Sequence, residues 1–153
     1  MADTSLSETK IGLLIWQVSN LWQSKLRRIL KSYNLTLNEY LIIESIIKLA
    51  DIKNDLYQNE ISIYAGIDFS VSSVIFKLLE EKKIVTRVST NDNRKKIIKV
   101  LSNGIKLYKM ISPLINDEEK KIFSKLQSEN YNFINSLKLL LGKRLRIKAK
   151  NYL

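Results

Sequence analysis

The sequence predicts a mainly α fold with one small β-hairpin, and three observations carry that expectation. Four glycines and one proline in 153 residues are too few for the many tight turns of an all-β architecture. Apolar residues recur at i, i+3, i+4 and i+7 over long stretches near both ends of the chain. Between them, two runs rich in β-branched residues, "IVTRV" and "KIIKV", flank the polar stretch "STNDNRKK" at 89–96. The length suits one domain over 1–153, and a hydrophobic content of 45% is that of a chain with a real core.

Taken in order, Ser5 and Glu8 have capping-box spacing and open the first long helix. Its stripe is Ile11, Leu14, Ile15, Val18, Trp22, Leu26 and Ile29, with Leu13, Leu21 and Leu30 widening the apolar face. "SYNLT" breaks it near 32–36. A second capping box, Thr36 with Glu39, opens "TLNEYLIIESIIKLA", apolar on nearly every side as a central buried helix is. "YQNEISIYAG" reads as a short helix ended by Gly66, and Asp68 caps "FSVSSVIFKLLEEKK". A short helix, a glycine turn and a second helix make a helix-turn-helix. The hairpin follows, then a helix from about Ser102, bent or ended near Pro113. A last helix runs from about Asp117 to the end, its apolar face including Phe123, Leu126, Phe133, Ile134, Leu137 and Leu141.

What is missing narrows the chemistry. Without cysteine there is no disulfide, thiolate nucleophile or sulfur-ligated metal. Without histidine the commonest general base and metal ligand are absent, and no clustered acidic loop offers a hard-cation site. The expectation is a non-enzyme with no cofactor. No run approaches the roughly 18 apolar residues of a membrane span, and the N-terminus lacks the order of a signal peptide, so a cytoplasmic location is expected. The net charge of +11 draws polyanions, nucleic acid first; the bland alternative is a lysine-rich solubilising surface. Placement decides between them. Residues 77–99 hold eight Lys or Arg against three acids.

A helix-turn-helix followed by a basic hairpin is the plan of a winged helix, here flanked by long N- and C-terminal helices. On these elements the chain resembles the multiple-antibiotic-resistance regulator (MarR) family of bacterial transcription factors. The specific part is 60–104: "EIS" at Glu60–Ser62, Gly66 in the bend, "LLEEKK" closing the recognition helix, Arg87 opening the wing, Asp92 and Arg94 within it, and Gly104 in the next helix. Three positions depart from the family pattern. Lys83 replaces a glycine before the wing, which predicts a different helix cap. Leu101 replaces a capping threonine, leaving Ser102 or Asn103 to cap. Val74 stands where many members carry a base-reading arginine.

The resemblance implies a DNA-binding transcriptional regulator that binds a pseudo-palindromic operator as a homodimer. The winged lobe is 34–101, with recognition helix about 68–82 in the major groove and wing about 84–101 in the minor groove. Residues 5–32 and 102–153 form the dimerisation lobe. Ser70, Ser73 and Lys77 share one helical face, beside an apolar stripe of Val71, Val74, Ile75 and Leu78. With Ser72, Arg87, Asp92, Asn93, Arg94, Lys95 and Lys96 they are the candidate DNA contacts, a solvated charged loop being the plain alternative for the wing. In the family the wing arginine enters the minor groove and the aspartate orients it, roles that fall to Arg94 and Asp92. Ile11, Leu14, Trp16, Phe133, Leu137 and Leu141 are the candidate dimer residues, together with Trp22; intramolecular core is their alternative. A two-fold dimer sets recognition helices about 34 Å apart on one DNA face. The resemblance also implies a small-molecule effector, with Trp22, Arg27 and Tyr33 near the expected cleft and no ligand assigned. Two rivals remain: a winged-helix module that binds protein without DNA, and a membrane-surface protein using the basic end "KLLLGKRLRIKAKNYL".

Overall fold

The computed structural model describes residues 5–92 and 95–143. The chain divides into two units, Met1–Asn116 and Asp117–Leu153.

The first unit opens on a 3-10 turn, Leu6–Glu8, and not on a capping box. Ser5 makes no side-chain cap bond, and the helix proper starts only at Ile11, behind Lys10. The Thr9 amide closes the turn onto the Leu6 carbonyl, so the chain wraps once before the helix begins. Helix α1, Ile11–Lys31, ends where Asn34 turns left-handed (φ 55°), letting the Leu35 N–H reach back to the Leu30 carbonyl. Helix α2, Leu37–Ala50, opens with the expected capping box. The Glu39 N–H donates to Thr36 Oγ1 at 3.1 Å and the Thr36 N–H to the Glu39 carboxylate at 3.0 Å. Its buried residues, Leu37, Tyr40, Ile42, Ile43 and Ile46 among them, surround the helix as its all-round apolar pattern requires.

Helix α3, Gln58–Ala65, stops at Gly66 (φ 70°). Asp68 accepts the Ser70 amide at 2.9 Å and starts α4, Phe69–Glu81. The end of α4 corrects an expectation. Lys83 does not force a different cap; it takes the left-handed conformation (φ 57°) of the glycine it replaces, with the Ile84 N–H on the Leu79 carbonyl at 2.9 Å and the Lys83 N–H on the Glu80 carbonyl at 3.0 Å. A Cβ makes that conformation costlier than it is for glycine, by roughly 1 kcal/mol.

Strands β1, Val85–Ser89, and β2, Lys96–Val100, pair antiparallel in register from Val85 opposite Val100 to Ser89 opposite Lys96. A further bridge joins Ile97 to Tyr57, and the Ile98 N–H donates to the Leu56 carbonyl at 2.8 Å. Helix α5 begins at Ser102, directly after Leu101, and its third residue explains one family glycine. A Cβ on Gly104 would sit 2.7 Å from the Ile84 carbonyl oxygen and 2.8 Å from side-chain carbons of Ile84 and Val100. The core draws on α1 to α5 and both strands: Leu26 and Leu30 of α1, the α2 isoleucines, Ile61 of α3, Phe76 and Leu79 of α4, Val85 and Ile98 of the hairpin, and Ile111 and Ile115 of α5.

Helix α5 runs on through Pro113 to Phe123, so the proline does not end it. The break comes later, in a 3-10 segment, Ser124–Glu129, where Gln127 has φ 49° and ψ −124°. Helix α6, Asn130–Leu140, follows. The expected helix from Asp117 to the terminus is thus two pieces within the described residues, and none of α6 is fully buried. Among the described residues no single helix is long and apolar enough to cross a membrane.

Candidate nucleic-acid interface

Helix α4 is held by polar contacts on its inner side. Ser72, Ile75, Phe76 and Leu79 face the core. Ser72 is fully buried: its hydroxyl lies 2.6 Å from that of Ser62 and donates to the Phe69 carbonyl. A DNA contact by Ser72 is therefore excluded, because its hydroxyl pins α3 to α4 inside the lobe. The apolar stripe beside the polar face is largely turned to solvent. Of Val71, Val74, Ile75 and Leu78 only Ile75 is buried, and the other three are exposed. Sequence spacing finds apolar neighbours but not which flank of them turns inward.

At the helix's far end a buried carboxylate serves as anchor. Glu39, 1% exposed, meets Lys82 Nζ at 2.8 Å, and that ammonium also donates to the Asn34 carbonyl at 2.7 Å. The end of α4 is thereby tied to the turn between α1 and α2.

The remaining recognition-helix candidates point outward. Lys77 is exposed. The Ser70 hydroxyl donates to Asp68 Oδ1 at 2.7 Å, a bond that holds the Asp68 carboxyl below the ordinary aspartate range. Ser73 donates to the Phe69 carbonyl and accepts from Gln58 Nε2 at 2.9 Å. Both hydroxyls are engaged within the protein.

Arg87, at the wing base, grips Glu80 of α4 through Nε and Nη2, the closest contact at 2.8 Å. This pair lowers the Glu80 pKa and raises that of Arg87. The guanidinium is spent on fastening wing to helix. At the tip, Thr90 Oγ1 bonds to the carbonyls of Asp92 and Lys95, and the Lys95 N–H closes onto the Asp92 carbonyl at 2.9 Å. Lys95 lies over the Tyr57 ring, 5.8 Å from its centroid, while Lys53 stands 5.6 Å from the same centroid and pairs with Glu60, lowering that carboxyl's pKa. Lys96 is exposed. Asn93 and Arg94 lie outside the described residues.

These groups border one open cleft of about 740 Å³, lined by Tyr57, Gln58, Asn59, Phe69, Lys95 and Lys96, with Glu60, Arg87 and Asp92 at its sides. Tyr57, Gln58, Glu80 and Thr90 escaped the sequence reading. The first three act by reaching another element, which local spacing does not mark, while Thr90 closes the loop of its own hairpin. A second cleft of about 490 Å³ is mostly apolar, bounded by Ile46 and Ala50 of α2, Ile98 and Val100 of β2, and Ile105 and Tyr108 of α5.

Of the dimer candidates, Ile11, Leu14, Trp16 and Leu141 are exposed, Trp16 at 62%, while Phe133 and Leu137 are half-buried. Trp22 and Tyr33 pack against the core of the first unit, and Arg27 lines a shallow cleft with Thr36 and Lys82.

A helix-turn-helix, a paired hairpin beside its second helix, and long helices before and after define the winged-helix fold. This particular arrangement is the fold of the MarR-family regulators. The MepR–DNA complex of S. aureus superposes with a TM-score of 0.79 at 23% identity, covering 87% of this chain and 96% of that one. A MarR-family transcriptional regulator from Rhodococcus sp. RHA1 gives 0.74 at 17% identity, over 94% of this chain and all of its own. In sequence, the uncharacterized HTH-type transcriptional regulator YdcH of Bacillus subtilis (strain 168) is 21% identical over 134 residues, 87% of this chain and 90% of the relative. No protein-family model matches the chain.

Proposed function

We propose that the chain is a homodimeric, cytoplasmic DNA-binding transcriptional regulator of the MarR type. In this reading α4 enters the major groove of a pseudo-palindromic operator and the wing reaches the adjacent minor groove. The observation that carries it is the cleft that the start of α3 and Phe69 of α4 share with the wing. Its walls hold Arg87, Lys95, Lys96, Gln58 and Asn59 together with the carboxylates Glu60 and Asp92, so wing bases and the amides of α3 front one open surface. Phosphate contacts fix such a protein on a duplex, and each ammonium that neutralises a phosphate releases a counterion. Lys77, Arg94, Lys95 and Lys96 are the proposed phosphate and minor-groove contacts; Arg87 positions the wing instead, since Glu80 occupies its guanidinium.

The dimer reading rests on the first half of α1, which leaves Ile11, Leu14, Ile15, Trp16, Val18 and Leu21 exposed. A small apolar molecule in the cleft between α2, β2 and α5 would press on the wing strand, which is how an effector would act on DNA binding.

Fluorescence anisotropy on duplex DNA across a salt series tests the proposal. The affinity should fall steeply with salt, and each of Lys95→Ala and Lys96→Ala should reduce the logarithmic slope by about 1. A flat slope, or no duplex binding at physiological salt, overturns it in favour of the protein-binding module.

A further inference from the structure

The outward face of α4 lacks the groups that read bases by paired hydrogen bonds. Ser70, Val74, Lys77 and Glu81 point away from the buried side of the helix. Neither an arginine fork nor an Asn or Gln amide stands among them. The Ser70 hydroxyl is taken by Asp68, and that of Ser73, at the edge of the face, by Phe69 and Gln58. Lys77 offers a flexible point charge, which a phosphate satisfies as readily as a base. What the face does offer is apolar. Val74 is 61% exposed and Phe69, at the start of the helix, 57%, with Val71 and Leu78 exposed alongside. In a major groove the natural partner of an apolar side chain is the C5-methyl of thymine.

We infer that α4 reads thymine methyl groups, with Val74 the central contact and Phe69 a second one toward the helix N-terminus. The inference rests on the DNA-binding reading above and adds its specificity: the operator positions under α4 are A·T pairs whose thymine methyls meet these two side chains. Burying one methyl group against Val74 raises affinity about fourfold over the same duplex without it. The wing cannot contribute to this discrimination, because the methyl lies in the major groove and the minor groove does not display it.

The experiment starts from duplexes selected by the full-length chain out of a random pool. Deoxyuridine is then placed for thymine one position at a time, and affinity is read by anisotropy at fixed salt. Replacement under α4 should weaken binding about fourfold per contacted methyl. Val74→Ala, an exposed change that leaves the core intact, should erase that sensitivity at its position without changing the salt slope. Steep salt dependence with no loss on uridine replacement, or a selected site with guanine under α4, overturns the inference and leaves the DNA-binding reading standing. Absence of any duplex binding overturns both.

Discussion

Helices α1 and α2 are both strongly apolar, yet they end up in opposite situations. Helix α2 buries residues on nearly every side, down to a carboxylate with its own ammonium partner. Helix α1 is half as long again but buries only Leu26 and Leu30, while its first half holds a row of exposed apolar side chains. In the sequence α1 carries a one-sided stripe and α2 apolar residues on nearly every side. Periodicity reports that a face needs a partner; whether the partner belongs to the same chain depends on where the helix falls in the fold.

The largest effect that could break this contrast is on assembly. Leu14→Glu with Trp16→Glu places two charges on the exposed first half of α1. If that face joins two copies, sedimentation should show monomers and operator affinity should drop on the order of 100-fold, since two linked half-sites become independent. An unchanged mass would mean that the row is only surface. On the α2 side, Lys82→Ala leaves Glu39 without its ammonium and should cost roughly 1–3 kcal/mol, read as a lower midpoint in urea unfolding. Gly104→Ala drives a methyl group against the Ile84 carbonyl oxygen, which a side-chain rotation cannot relieve, and should cost about 1–3 kcal/mol by the same measurement.

Smaller effects sharpen the picture of how α4 is held. Glu80 has a lowered pKa in the folded state, so its pairing with Arg87 stabilises the protein above the ordinary carboxylate range and is lost as the pH falls through the folded value. Arg87→Ala should therefore cost under about 1 kcal/mol at neutral pH, the pair being partly exposed, and the difference should vanish in acid. Lys83→Gly should do the reverse of all these and stabilise by about 0.5–1 kcal/mol, because the position is already left-handed.

Most of the element order is legible in the sequence. The Thr36–Glu39 box, Gly66, Asp68 and the two β-branched runs each carry a local signal with a physical cause, and each marks the boundary it should. Ser5 with Glu8 has the same spacing as Thr36 with Glu39 yet forms no box, since the chain there makes a 3-10 turn ahead of the helix. Pro113 suggested an end that the helix does not respect, whereas the real break at Gln127 has no glycine or proline to announce it. The candidate site was legible in outline only. Its basic wing and outward helix face could be read from order and charge. That Ser72 faces Ser62, or that Arg87 is committed to Glu80, depends on residues brought together from ten and seven positions away. Pattern alone does not see such pairs.

The bond from the Ile98 amide to the Leu56 carbonyl has a consequence for motion. It stitches the returning arm of the hairpin to the segment just ahead of α3. Hydrogen–deuterium exchange at that amide should accordingly be slow, comparable with the buried amides of α2, because the bond lies inside the lobe beside the Tyr57–Ile97 bridge.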